Sequence, residues 1–201
     1  MGERETWTTD EFGASHEGAV GVLLPDGTVP EPAYLILTEH GAGRTTTQWN
    51  VYDGSSGLRP RAHMLRAVCS CGWSGAARPL DWDQIGERAL SEAALDLAES
   101  CEEEWDRHAA EVEESAVALP EELGELLRLL AEGIEKLGND SPLAALRAAR
   151  LLEVTAERKA YWPARDARRD LSLKETAAAL GLNEDAAQEL LARFGRWSPY
   201  S

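Results

Sequence analysis

Three cysteines and one nearby histidine are the residues whose types could do chemistry together. Cys69-Ser70-Cys71-Gly72 sets two thiols two residues apart beside a glycine able to turn the chain, and Cys101 and His108 follow on one helical stretch. Zinc prefers such donors in a tetrahedron, with sulfur at about 2.3 Å and imidazole nitrogen at about 2.0–2.1 Å. Cys69, Cys71 and His108 are therefore candidate zinc ligands, with Cys101 as the candidate fourth. That fourth position is difficult. Cys101 precedes His108 by seven residues, about 10.5 Å along a helix axis. His63 shares strand parity with Cys69 but lies about 20 Å away in a straight strand. Either choice demands a bend. The simpler reading, favoured in the absence of a C-x-x-C pair, makes the cysteines small buried hydrophobes and His108 a core histidine.

Other chemistry is missing. Gly41-Ala42-Gly43 has neither the spacing nor the following helix of a phosphate loop, and no G-x-S-x-G or H-E-x-x-H is present. Cys69 or Cys101 with His108 would be the only nucleophile–base pair, and nothing else supports it. No catalysis is expected.

The elements that must position these residues are legible from pattern. Residues 1–18 are polar and without period, and are expected to form a loose arm. Residues 19–71 hold short β-branched and aromatic runs broken by Gly, Pro and Asp. These are Val20–Leu24, Tyr34–Thr38, Thr45–Tyr52 and Met64–Cys71, with a loop over His40–Arg44, and they predict a small antiparallel sheet. A long helix, capped by Asp81 or Asp83 and running to about Ala118, would cover it. Leu90, Ala94, Leu97, Cys101, Trp105, His108 and Val112 make its apolar stripe; Glu92, Asp96, Glu99, Glu103, Asp106 and Glu113 lie opposite. The fold class is thus α+β, a small N-terminal sheet under a long acidic helix, followed by an all-α tail. The expected divisions are an arm at 1–18, a sheet-plus-helix module at 19–118, a connecting amphipathic helix at 119–140 and a helical domain at 141–201. Gly138–Pro142 should end one helix and start the next, and Pro163 should bend or end the third.

Charge separates the parts. Residues 69–135 hold 18 acidic against 4 basic side chains, whereas residues 136–201 hold 9 against 11. The chain's net charge of −16 would repel nucleic acid, but its last third alone would not. No apolar run approaches the roughly 20 residues of a membrane span. The first residues lack the shape of a signal peptide. No membrane partner and a cytoplasmic location are expected.

In that last third, Ser172 with Glu175 forms a capping box, Gly181 supplies a left-handed turn, and Asn183 can cap a helix whose inner face is Ala186 or Ala187, Leu190, Leu191 and Phe194. The segment resembles the helix-turn-helix of bacterial regulators and sigma-like factors over about residues 142–196. Separately, C-x-C-G-W followed by W-x-x-H resembles zinc-ribbon-like modules of actinobacterial proteins over residues 64–108. The first resemblance implies that the second helix of the pair enters the major groove. Asn183 and Gln188 would then reach base edges beside Glu184, Asp185 and Glu189, while Arg165, Arg168, Arg169, Lys174, Arg193 and Arg196 would meet phosphates. The expected function is a non-enzymatic, DNA-associated regulator. The alternative is a protein-interaction adaptor or acidic nucleic-acid mimic, using the acidic helix and the leucine face of residues 120–137. That face is also the expected surface for a homodimer.

Overall fold

The computed structural model describes residues 5–36, 43–56 and 59–196, and divides into two compact units, Met1–Glu114 and Ser115–Ser201. The fold is α+β, as the alternation of short strands and long amphipathic runs predicts. Most of the loop expected over His40–Arg44, and the end of the second expected strand, fall outside the described residues.

In the first unit the single sheet expected from the sequence is three small ones. β1 (Gly18–Leu23) pairs antiparallel with β6 (Met64–Cys69), from Gly18 opposite Cys69 to Leu23 opposite Met64, and β7 (Arg78–Pro79) adds a short edge. β2 (Ala33–Ile36) pairs with β3 (Gly43–Thr46), and β4 (Asp53–Ser56) with β5 (Arg59–Arg61). The strand expected over residues 45–52 ends early. Thr46 Oγ1 accepts a hydrogen bond from the Gln48 N–H at 3.2 Å, and the chain then makes a 3-10 turn over Trp49–Val51. The turn buries Trp49 and Tyr52 together, which the alternation of a strand would have placed on opposite faces. In β6 alternation does hold: Leu65, Ala67 and Cys69 are buried and Met64, Arg66 and Val68 are half-buried.

The long helix is broken. α1 (Trp82–Ile85) is capped by Asp81, whose carboxylate accepts from the Asp83 and Gln84 N–H groups, and it ends at Gly86 with φ +59°. α2 (Leu90–Ala93) and α3 (Leu95–Ser115) follow. The stripe nevertheless faces inward as its spacing predicts. Leu90, Ala94, Cys101, Trp105 and His108 are buried and Leu97 and Val112 half-buried; Leu90, Ala94, Cys101 and Trp105, joined by Ala98 and Ala109, share one core with Val20, Val22, Tyr52, Leu65 and Ala67.

The second unit holds α4 (Glu121–Asp140), α5 (Pro142–Asp170), α6 (Leu173–Ala179) and α7 (Glu184–Gly195). The amphipathic helix expected as a connector therefore belongs with the tail. The stop and restart expected over Gly138–Pro142 is present: α4 ends at Asp140, with Gly138 inside its last turn, and α5 begins at Pro142. One break is absent. α5 runs through Pro163 without ending. The lost i−4 hydrogen bond is offset by packing, because α5 lies along α7 and the next residue, Ala164, is buried.

Candidate metal centre

Four side chains from three separate parts of the first unit converge: His16, Cys69, Cys71 and His108. One ligand atom from each lies within 4.8 Å of all the others. Local structure explains the convergence. β6 ends at Cys69, and the chain reverses through Ser70–Gly72, with Gly72 at φ +95° and the Cys69 N–H donating to the Trp73 carbonyl at 2.9 Å. This reversal lets two thiols spaced by one residue face one point, the turn that Gly72 allows. The Trp73 N–H points at Cys71 Sγ from 3.4 Å. The Trp73 indole stacks on the His108 ring at 4.3 Å with 1° between planes, which fixes the imidazole.

The distances suit a tetrahedron. Cys69 Sγ lies 3.6 Å from His16 Nδ1, and Cys71 Sγ lies 3.4 Å from His108 Nε2. With sulfur and nitrogen at zinc's usual bond lengths, a sulfur–nitrogen edge of a tetrahedron is about 3.5 Å. Three of the four residues are buried and Cys71 is half-buried. Burial pushes the Cys71 thiol up to about 11, with neighbouring Cys69 adding to the rise against the Trp73 N–H, and burial and then His16 hold His108 below the ordinary imidazole range. Thiolates at this depth need a compensating positive charge, and neutral imidazoles are ready ligands.

Two expectations are corrected. Cys101 is not a member of the cluster. It is fully buried with its Sγ 4.0 Å from Arg78 Nη1, and burial pushes its thiol up. Two helical turns separate it from His108, so it is the small core hydrophobe of the simpler alternative. The residue that replaces it, His16, comes from the supposed loose arm. That arm is ordered over the described residues 5–18: Trp7 exchanges backbone hydrogen bonds with Gly18, Gly13–His16 forms a 3-10 turn, and Phe12 meets the His16 ring edge-on. Trp7 and Phe12, two large aromatics in a polar stretch, were the available signal for burial there. His63 is exposed and outside the cluster.

The wall beside the centre is tight. An added Cβ at Gly18 would fall 2.5 Å from Trp105 ring atoms, and Trp105 sits one turn before His108 on α3. Gly18→Ala is expected to cost about 1–3 kcal/mol through overpacking. A lower urea midpoint, with zinc present throughout, is the check.

The eight residues expected at a nucleic-acid face divide. The helix pair itself forms as its sequence predicts, with the Ser172–Glu175 capping box and Gly181 at φ +61°. Asn183 Oδ1 accepts from the Ala186 N–H at 2.8 Å, so it is spent as the cap of α7. Arg169 pairs with Asp166 and Asp170, and Arg193 with Glu153. Arg165 donates to the Tyr161 hydroxyl and lies over the Tyr161 and Trp162 rings. Among the described residues, Arg168, Lys174 and Arg196 enter no ion pair. Arg168 and exposed Gln188 line one cleft between the end of α5, α6 and α7. Compared with family models, curated proteins and solved structures, the chain matches none of them.

Proposed function

We propose that the protein is a non-enzymatic regulator whose first unit is clipped by zinc and whose second unit binds duplex DNA through α6 and α7. For zinc, the supporting observation is the His16–Cys69–Cys71–His108 group. Two sulfurs and two nitrogens in tetrahedral reach are the donor set of structural zinc, and four protein ligands leave no position for a substrate. The ion's contribution is a cross-link: it ties the segment before β1, the turn after β6 and the middle of α3 to one another.

For DNA, the observation that carries the reading is the capped, glycine-hinged helix pair with Arg168, Lys174 and Arg196 unpaired around it. These three cations are the phosphate contacts; the exposed start of α7 is the groove-facing element. Glu184, Asp185 and Glu189 on that face repel the backbone, so affinity rests on the rim and Gln188 supplies a neutral base contact. Titration of the whole chain into a fluorescent duplex at low salt is expected to give binding that weakens steeply as salt rises. No binding at low salt overturns the reading.

The adaptor reading keeps one specific support. Glu92, Asp96, Glu99, Glu103, Asp106 and Glu113 are exposed together, a face suited to a basic protein partner.

A further inference from the structure

α4 has a strong apolar stripe that α5, packed along it, leaves largely exposed. Leu123, Leu126, Leu127, Leu130, Ile134 and Leu137 lie on one face; Ile134 is half-buried, but the five leucines remain 36–63% exposed, and no residue of the helix is buried. Its approach to α5 uses small side chains, as at Gly138 and Ala145. Leu151 and Leu152 of α5 are exposed as well. A 20-residue helix gains most of its stability from packing of its apolar face, and a contiguous leucine surface of this kind marks an interface.

Charge identifies the occupant. α4 carries six acidic and two basic side chains, and Arg128 is already shared between Glu125 and Glu132. Among the described residues, Glu121, Glu122, Glu135 and Asp140 enter no ion pair. α5 carries seven basic side chains and four acidic ones, with Arg147, Arg158 and Lys159 likewise outside any ion pair. One hairpin thus holds an acidic and a basic helix side by side. Two such hairpins related by a two-fold axis, with each α4 against the partner's α5, bury the leucines and oppose unlike charges. The geometry points to a second copy of this chain on the α4–α5 hairpin, forming a four-helix dimer core. This does not depend on the DNA reading.

The test uses the full-length protein in light scattering at micromolar concentration. The expected mass is twice 21.9 kDa, unchanged by chelator. Leu126→Glu with Leu130→Glu should give a monomer that keeps its helical circular dichroism. Because those changes could also unfold α4, a second pair probes exposed charges alone. Glu122→Lys with Glu135→Lys, and separately Arg147→Glu with Arg158→Glu, should each raise the dimer Kd at least about tenfold, and mixing the two variants should restore a mixed dimer in native mass spectrometry. A monomeric wild type, a trimer or larger species, a dimer indifferent to all these changes, or association only with a different protein overturns the inference.

Discussion

Stripping zinc from the purified protein is expected to destabilise the first unit and leave the second standing. As isolated, the chain should carry one zinc per molecule. A ligand that binds only the folded state stabilises it by about 4 kcal/mol when its free concentration is a thousandfold above Kd. For a unit of this size that amounts to a fall of roughly 15 °C in Tm on chelation. His16→Ala, Cys69→Ser, Cys71→Ser or His108→Ala should each lower zinc content and reproduce most of the fall. Cys101→Ser should leave the stoichiometry at one, at a smaller cost from a buried hydroxyl. Cobalt provides an independent readout: tetrahedral coordination by thiolates and imidazoles gives intense visible absorption, which should weaken in the His16 variant and survive in the Cys101 one. Ligands must shed their protons to bind, and the Cys71 thiol lies at about 11, so affinity should fall steadily as pH drops below that value and more steeply once His108 protonates, below the ordinary imidazole range. A zinc-free protein indifferent to chelator, or a Cys101 variant that loses the metal, contradicts the assignment.

The second large effect belongs to the three unpaired cations. Each phosphate neutralised on B-DNA contributes about 0.9 to the slope of log K against log salt. Neutralising Arg168, Lys174 and Arg196 together to Gln should flatten that slope by roughly 2.7 and weaken binding at low salt by roughly a hundredfold or more. Arg169→Gln and Arg193→Gln should do less, because those guanidinium groups already hold Asp166, Asp170 and Glu153. Equal affinities and slopes for the wild type and the triple variant would remove the rim from the account. Circular dichroism of the variant guards against a trivial loss of fold, since all three side chains are exposed.

What could be read beforehand follows the range of the interactions. Local signals held: the Asp81 cap, the Ser172–Glu175 box, Gly181 at the hinge, and the alternation of Leu65, Ala67 and Cys69 all depend on neighbours within a few residues. Failures came where distant packing overruled local preference. Pro163 stays inside α5, where the next residue, Ala164, is buried, and the strand expected over residues 45–52 gives way to a 3-10 turn that buries Trp49 and Tyr52 together. The metal group shows the same division. Cys69 and Cys71 are neighbours in sequence and could be paired from spacing; His16 reaches Cys69 across 53 residues, a distance no periodicity encodes. Cys101 looked eligible only because it shares a helix stripe with His108, and sharing a stripe puts two residues on one face without bringing them to one point.

His16 and His108 stand at opposite ends of the first unit's sequence, with every strand of that unit between them. If zinc joins these four residues as proposed, the ribosome must release α3 before the tetrahedron can close, so the two thiols of the hairpin turn are made early and wait. In that interval they are open to oxidants and to competing soft metals such as copper. Maturation of this unit should therefore be slow compared with that of a helical tail built from near-neighbour contacts, and sensitive to the cell's thiol balance.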